Sequence, residues 1–171
     1  DKIIGMIQPC MKTESSDLEP TPLSSVGCLG RITAIQETGD GRYLLSLTGI
    51  CRYKLTEEIP SNKGYRTCRA EPFSSDIENK SCQKDEVDRE KLLEAFRNYL
   101  GAHGMDADWD TIGNTDNETL VTALCMMSPY EPAEKQALLE APDLKTRTET
   151  LIAISEMHLA RSAASDGTAL Q

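Results

Sequence analysis

Apolar residues in the first half of the chain follow the spacing of β-strands. An apolar run from Ile3 to Gln8 is closed by Pro9, which cannot donate to a strand ladder. Residues 26–37 alternate imperfectly between apolar and polar types, and Gly39-Asp40-Gly41 offers the positive φ angles of a tight hairpin. We therefore expect residues 42–47 to return as the next antiparallel strand.

This returning strand is predicted to continue through residues 50–55, past Gly49. A glycine inside a strand pattern indicates a bulge or sharp bend, which lets a small sheet curl toward a closed or half-closed barrel. Residues 65–73 form one further strand, and Pro72 places it at an edge or corner of the sheet. Residues 12–22 are rich in Ser, Thr, Glu and Pro and are expected to be an exposed loop.

The second half of the chain changes to helical spacing. Asp85 is predicted to cap a first helix, which Gly101 ends. Thr115 and Glu118 have the spacing of a capping box for a second helix, which Pro129 stops.

Two prolines divide the remaining helical pattern. Pro132 lies in the first turn of a predicted third helix, because its missing N–H has no partner there in any case. Pro142 interrupts the pattern before Asp143 caps a fourth helix that extends to about Arg161. The sequence therefore predicts a bundle of about four helices.

These patterns divide the chain of 171 residues into two lobes. We expect a β-rich lobe over residues 1–75, a helical lobe over residues 76–161 and a flexible tail over residues 162–171. No run approaches the roughly 18 apolar residues of a membrane helix, and no leader pattern is present, so a cytoplasmic protein is expected. The strand pattern is already under way at Asp1, so further residues are expected before it.

Charge is distributed unevenly between the lobes. The net charge is −10, but residues 1–75 hold nine Lys or Arg and nine Asp or Glu, whereas residues 76–171 hold nine and nineteen. An acidic surface repels phosphate backbones, so nucleic acid is an unlikely partner of the second half. The neutral first half leaves RNA open as an alternative, supported by five arginines: Arg31, Arg42, Arg52, Arg66 and Arg69.

Groups that could carry chemistry fit structural roles better. Gly39-Asp40-Gly41 lacks the lysine and the following helix of a phosphate-binding loop. Ser81 lies near Lys80 and Lys84 in a polar stretch, where exposed lysines stay protonated and cannot activate a serine. The six cysteines contain no CxxC pair and are expected to be reduced, structural thiols: Cys10, Cys28, Cys51, Cys68, Cys82 and Cys125.

The acidic and histidine residues of the helical half also favour structural roles. Asp106, Asp108 and Asp110 lack the further ligands of a calcium loop and are expected to cap and solvate a helix. His103 lies at a helix terminus, and His158 lies on the last helix without a nucleophile pattern beside it. The sequence therefore predicts no catalytic residue, no cofactor and no metal ligand.

Several stretches, in this order, resemble the amino-terminal domain of the Lon protease family and its stand-alone bacterial relatives. Each stretch consists of common residues, but their order and spacing together are specific. They are Ile4 to Pro9, Val26 to Ile32, Gly41 to Tyr43, Leu47 to Tyr53 and Pro132 to Leu144.

This resemblance implies an α+β fold, in which a PUA-like β pseudo-barrel is followed by a helical bundle. It also implies a non-enzyme, because the ATPase and Ser-Lys protease parts of Lon have no counterpart in the chain. The family normally opens with a Pro-Leu-Phe-Pro-Leu strand and a helix carrying Phe-Glu-Pro-Arg-Tyr, and neither occurs here. Residues 1–75 are therefore expected to hold the β lobe without its first strands, and a barrel that lacked those strands altogether would expose part of its core.

The resemblance further implies a module that binds unfolded or exposed segments of other proteins, in proteolysis or quality control. A protease or a chaperone is the expected wider partner. An edge strand can accept an extended peptide through main-chain hydrogen bonds. On the predicted edge strand, the peptide-binding candidates are Tyr65, Arg66 and Arg69.

Overall fold

The computed structural model describes three stretches of the chain, residues 2–10, 21–77 and 87–168. Of the predicted loop over residues 12–22, residues 12–20 lie outside the described stretches. The chain divides into two compact units, residues 1–83 and 84–171. The division lies beyond the predicted boundary at residue 75, because the short helix α1 (Ser74–Ile77) belongs to the first unit.

The first unit contains an antiparallel sheet with the strand order β1-β2-β3-β4. Its strands are β1 (Ile3–Met6), β2 (Val26–Glu37), β3 (Tyr43–Ile59) and β4 (Thr67–Pro72). The spatial order equals the chain order, so β1 and β4 are the edges of the sheet formed by the described residues. The strands predicted from periodicity are confirmed, except that Tyr65 and Arg66 precede β4 instead of lying within it.

Glycines shape the long β2–β3 hairpin. Gly39 and Gly41 both have φ of +80°, the left-handed conformation that the hairpin prediction required. The pairing register shifts between Leu29 and Gly30, so that Ile50 of β3 is an extra residue directly after Gly49. The predicted bulge beside Gly49 is therefore confirmed.

The buried centre of the sheet is Tyr53, which is only 4% exposed. Its ring lies over Gly5 of β1 and Gly27 of β2, where side chains would occupy the same space. A Cβ atom at Gly27 would lie 2.5 Å from the carbonyl oxygen of Met6 and 2.7 Å from the Tyr53 hydroxyl oxygen. Burial raises the pKa of Tyr53. The two glycines are thus required because the tyrosine ring packs directly on the backbone.

A buried ion pair attaches α1 to β3. The Nε and Nη2 atoms of Arg52 donate to the two carboxylate oxygens of Asp76 at 2.9 and 2.8 Å, and the Arg52 backbone N–H donates to Asp76 at 2.9 Å. The guanidinium carbon lies 4.7 Å from the ring centroid of Phe73. The side chains of Arg52 and Asp76 are 8% and 20% exposed. A charge so poorly solvated requires this partner.

The second unit is helical. Its helices are α2 (Arg89–Ala102), α3 (Trp109–Asn114), α4 (Asn117–Met127), α5 (Pro132–Glu140) and α6 (Leu144–Thr168). The prediction of about four helices missed α3, which is too short to show a helical period. Asp108 caps α3 by accepting from the backbone N–H of Thr111 at 3.1 Å and from its hydroxyl at 2.6 Å. The guanidinium carbon of Arg97 lies 4.5 Å from the ring centroid of Trp109.

The predicted starts of α2 and α4 were wrong by a few residues. Asp88 caps α2, whereas the predicted cap Asp85 lies outside the described residues. Asp116, not Thr115, caps α4 and accepts from the Thr119 N–H at 2.9 Å. An aspartate at this position satisfies an unpaired helix N–H and also carries a negative charge at the positive end of the helix.

The ends of the last helices are also set by local chemistry. Pro132 is in the first turn of α5, and Asp143 accepts from the Thr146 N–H at 2.7 Å at the start of α6, as predicted. Helix α6 continues to Thr168 instead of ending near Arg161. The flexible tail predicted over residues 162–171 is therefore wrong for residues 162–168, and the rest of it lies outside the described residues. The small polar residues there did not prevent the helix from continuing.

The largest apolar core in the described residues lies wholly within the helical unit. Val121 and Leu151 are completely buried, and the core draws on α2, α4, α5 and α6. Cys125 packs against this core, and burial raises its pKa to about 11. A thiol with this pKa is almost fully protonated at neutral pH, which supports the prediction of a structural cysteine.

Replacing Gly27 by alanine should destabilise the β unit by about 2 kcal/mol or more, because backbone and ring atoms already occupy the Cβ position. The measurement is the free energy of unfolding from urea titrations, followed by amide hydrogen exchange at β2 and β3. Gly49→Ala is the matched control, because nothing lies within 4 Å of its Cβ position. Equal losses in the two variants would contradict the packing of Tyr53 on glycine.

Asp76→Asn should destabilise the β unit by about 3 kcal/mol, because it removes the carboxylate charge that pairs with the buried Arg52 guanidinium. Urea titration and amide hydrogen exchange at β2 and β3 measure this loss of stability. The control is Asp40→Asn, which removes the exposed pair of Asp40 with Arg42 at 3.6 Å and should cost far less, because water screens an ion pair this exposed. A loss at Asp76 no larger than that at Asp40 would argue against the ion pair as the anchor of α1.

Candidate functional site

The three peptide-binding candidates lie at one edge of the sheet. Arg69 is on β4, and Tyr65 and Arg66 are in the turn that leads into it. The Tyr65 side chain is 64% exposed, which is unusual for a large aromatic residue. The structure therefore places the three candidates close together in sequence and at an edge, but only one of them within the strand.

Arg66 is held by partners on two other segments. It forms a two-pronged salt bridge with Glu58 of β3, in which Nε lies 2.5 Å from a carboxylate oxygen. Its Nη1 donates to the carbonyl oxygen of Thr21 at 2.7 Å. The hydrogen bond from Arg66 lowers the pKa of Glu58. Arg66 thus joins the start of β4 to β3 and to the segment before β2, and its charge is balanced by Glu58.

Arg69 has a weaker partner. Its Nη1 lies 3.5 Å from a carboxylate oxygen of Glu57, and the two side chains are 70% and 59% exposed. Ion pairs this exposed are easily exchanged for other partners, because water competes for both charges. Arg69 is therefore the candidate arginine that a bound carboxylate or carbonyl can recruit.

A groove of about 410 Å³ lies at the turn between β3 and β4. Ile59, Pro60 and Tyr65 form its apolar wall, and its charged lining is Lys63 together with the ion pair of Arg66 and Glu58. The Lys63 ammonium lies 5.4 Å from the ring centroid of Tyr65, within the range of a cation–π contact. The groove combines an aromatic surface with donors, which suits the side chain and backbone carbonyl of an extended peptide.

Most arginines that supported the RNA alternative are paired with carboxylates. Arg52 is buried against Asp76, and Arg66 is bonded to Glu58. Arg42 and Arg69 are exposed, but each has a carboxylate within 4 Å. Phosphate binding is favoured by arginines whose charge is not already balanced, and in the described part of the first unit four of these five arginines have a carboxylate within 4 Å.

Sequence reasoning missed an exposed apolar surface on the β2–β3 hairpin. Ile35 of β2 is 48% exposed. On β3, four large apolar side chains are between 38% and 63% exposed: Tyr43, Leu44, Leu45 and Ile50. In the sequence the same residues resemble an ordinary buried strand, because burial depends on which strands pair beside it.

Both histidines of the chain lie in one aromatic cluster of the helical unit. The ring of Tyr99 lies 4.3 Å from that of His103 and 5.9 Å from that of His158, measured between centroids. His103 Nδ1 is 2.8 Å from the Tyr99 carbonyl oxygen, and His158 Nε2 is 2.9 Å from a Glu134 carboxylate oxygen. Each imidazole is thus engaged with its own helix or a neighbouring one.

Ser155, which contacts the same cluster through Tyr130, is equally engaged. Ser155 is 1% exposed and donates to the Leu151 carbonyl oxygen at 2.9 Å, while its oxygen lies 2.9 Å from the Tyr130 hydroxyl. A hydroxyl buried in this way cannot reach an external substrate. The cluster therefore acts as a polar extension of the helical core.

Two other kinds of site have no candidate among the described residues. No group of three or more His, Cys, Asp or Glu side chains there could hold a metal ion. No helix in the described stretches is long and apolar enough to cross a membrane.

The architecture is that of solved Lon amino-terminal domains. The N-terminal domain of the Lon protease from Mycobacterium avium complex is 17% identical, with a TM-score of 0.52, and the match covers 90% of this chain and 91% of that chain. The Lon N-terminal domain protein from Xanthomonas campestris is 20% identical, with a TM-score of 0.51 and 89% of each chain covered. The predicted α+β fold class is therefore confirmed.

The sequence matches the family model of the ATP-dependent protease La (LON) substrate-binding domain over residues 2–155. Because this match covers most of the chain and both units, the chain belongs to the LON substrate-binding domain family. The resemblance seen in the sequence is thus confirmed. No curated protein matches the chain significantly.

Acidification should destabilise the helical unit. Burial opposes ionisation of Glu134, but hydrogen bonds from His158 and the Glu131 N–H outweigh it and lower its pKa. A group whose pKa is lower in the folded state stabilises the fold above its unfolded pKa, about 4.3 for glutamate, and this contribution is lost as pH falls through the folded pKa.

The expected result is a urea midpoint of the helical unit that falls as pH decreases below about 5. Glu134→Gln should reduce this pH dependence without removing it, since Asp108, Asp116 and Asp143 also have lowered pKa values at helix starts. Circular dichroism at 222 nm measures the midpoint. An identical pH profile in the variant and the parent protein would contradict the role assigned to Glu134.

Proposed function

We propose that this chain is a non-catalytic module that binds exposed segments of other proteins in the cytoplasm and contributes to proteolysis or quality control. The observation that carries the proposal is the exposed Tyr65 beside a groove of about 410 Å³ at the edge of the sheet. Membership of the LON substrate-binding domain family supports it. A protease or a chaperone is the proposed wider partner.

The three candidate residues have different roles in this proposal. Tyr65 contributes an aromatic anchor, because large rigid aromatic rings bury much apolar area at little entropic cost. Arg69 exchanges its exposed partner Glu57 for a carboxylate or carbonyl of the bound segment. Arg66, already bonded to Glu58 and Thr21, holds the groove in shape. Recognition is therefore based on shape and apolar contact and needs no reaction.

A protein partner is favoured over RNA for an electrostatic reason. Glu57 and Glu58 lie beside Arg69 and Arg66, so a phosphate that approaches the groove meets carboxylates as well as guanidinium groups. Repulsion by carboxylates weakens phosphate binding more than it weakens apolar peptide binding. The RNA alternative therefore has no specific support at this edge.

The purified protein should bind fluorescein-labelled casein, an unfolded polypeptide, in a saturable manner. Tyr65→Ala should weaken this binding about tenfold, because it removes the aromatic anchor. Met127→Ala is the matched control, since Met127 is an even more exposed apolar side chain, at 82%, on the helical unit. Fluorescence anisotropy gives both dissociation constants.

Absence of saturable binding up to about 100 µM protein would contradict the proposed function. Binding of a labelled single-stranded RNA that falls steeply with salt, together with no binding of casein, would favour the RNA alternative.

A further inference from the structure

The charges that line the groove between β3 and β4 do not cancel. Both carboxylate oxygens of Glu58 accept from Arg66, whose Nε and Nη2 atoms each lie 2.5 Å away, so these two residues neutralise each other. Lys63 is the remaining charged residue of the lining. Among the described residues, no carboxylate forms an ion pair with its ammonium within 4 Å. The groove therefore carries one positive charge that is not balanced.

Lys63 lies beside the aromatic wall of the groove. Its ammonium is 5.4 Å from the ring centroid of Tyr65. Its backbone N–H donates to the Ser61 hydroxyl oxygen at 3.2 Å, which fixes the backbone of the lysine relative to Ser61. The Ser61 hydroxyl accepts in this contact and retains a proton to donate, and Ser61 also lines the groove. Positive charge and a hydrogen-bond donor thus lie next to apolar side chains.

This arrangement matches the spacing of side chains in an extended peptide. Residues two apart in an extended chain project from the same face, about 7 Å from each other. A large apolar side chain packed on Ile59, Pro60 and Tyr65 places the side chain two positions away within reach of the flexible Lys63 stem. A carboxylate at that position gains an ion pair, an amide gains only a hydrogen bond, and an ammonium is repelled.

The first residues of the chain lie away from this groove. The Lys2 carbonyl accepts from the Ile32 N–H at 2.8 Å, and Ile32 pairs with Leu47 of β3. The groove begins at Glu58, roughly 35 Å further along the path of the same strand. Residues joined to Lys2 therefore enter the sheet far from Lys63.

We propose that the groove selects client segments in which an Asp or Glu lies two residues from a large apolar residue, and that Lys63 binds this carboxylate. The inference rests on the proposed function and names the class of segment that the same groove takes. Tyr65 supplies the apolar contact, while Lys63 discriminates between acidic and basic neighbours. Because exposed ion pairs contribute little in water, the preference is about threefold. Such a preference ranks segments without excluding neutral ones.

Three fluorescein-labelled peptides test this preference. Each is acetylated and amidated and has the sequence Gly-Ser-Gly-Phe-Ser-X-Gly-Ser-Gly, where X is Glu, Gln or Lys. The Glu peptide should bind about threefold more tightly than the Gln peptide, and the Lys peptide should bind more weakly than both. The difference between the Glu and Gln peptides should shrink as salt rises from about 0.05 to 0.5 M, since salt screens exposed charges. Fluorescence anisotropy gives the dissociation constants.

Substitutions in the chain test the assignment to Lys63. Lys63→Gln should bring the ratio of the Gln and Glu dissociation constants to about one, and Lys63→Glu should make the Lys peptide the tightest ligand. Lys54→Gln is the matched control, because Lys54 is an exposed lysine of β3 that does not line the groove. In this control the ratio should stay at about three. Amide hydrogen exchange at β3 shows whether each variant retains the sheet.

The outcomes separate this inference from the proposed function. If the Glu and Gln peptides bind equally while casein binding still requires Tyr65, the charge preference is excluded and the proposed function stands. If casein does not bind to the unsubstituted protein, the proposed function fails. A preference for the Glu peptide that persists in Lys63→Gln would overturn the assignment to Lys63.

Three other occupants of the groove would overturn the proposal. A Gln peptide with a free carboxyl terminus that binds as tightly as the amidated Glu peptide would indicate recognition of a chain end. Displacement of the Glu peptide by single-stranded RNA would indicate a phosphate backbone. The acidic stretch from Asp17 to Glu19 lies outside the described residues. Tighter binding of the Glu peptide when Asp17→Asn and Glu19→Gln are combined would show that this stretch is the occupant.

Discussion

The buried pair of Arg52 and Asp76 determines the organisation of the β unit. A guanidinium that is only 8% exposed must have a counter-charge, and Asp76 also bonds to the backbone of the same arginine. This fixes helix α1 beside β3, and Phe73 is bonded to the Arg52 carbonyl in the same place. The pair thus lies directly beside Tyr53 and Pro72, where the pairing of β3 with β4 ends.

Local chemistry explains which parts of the fold could be predicted from the sequence. The Gly39 and Gly41 turn, the bulge after Gly49 and the proline at the start of α5 each depend on residues adjacent in the chain. The pairing of Arg52 with Asp76 joins residues 24 positions apart and has no local pattern. Helix α3 is too short for periodicity, and its existence depends on the Asp108 cap and on packing of Trp109.

The candidate site, too, could be predicted from the sequence only in part. Pro72 indicated an edge, and β4 is an edge of the sheet that the described residues form, but the partners of Arg66 and Arg69 come from β3 and could not be inferred from β4 alone. The uncharged run from Tyr43 to Cys51 is visible in the sequence as composition. Its meaning changes once the topology shows that one edge of that run has no neighbouring strand among the described residues.

The position of Trp109 has a practical consequence for spectroscopy. It is the one tryptophan of the chain, it lies on α3 of the helical unit, and Arg97 lies over its ring. Emission excited selectively at 295 nm therefore originates in one unit only. Tyrosine residues dominate the near-ultraviolet absorption of the other unit, so unfolding of the sheet itself has to be followed through tyrosine.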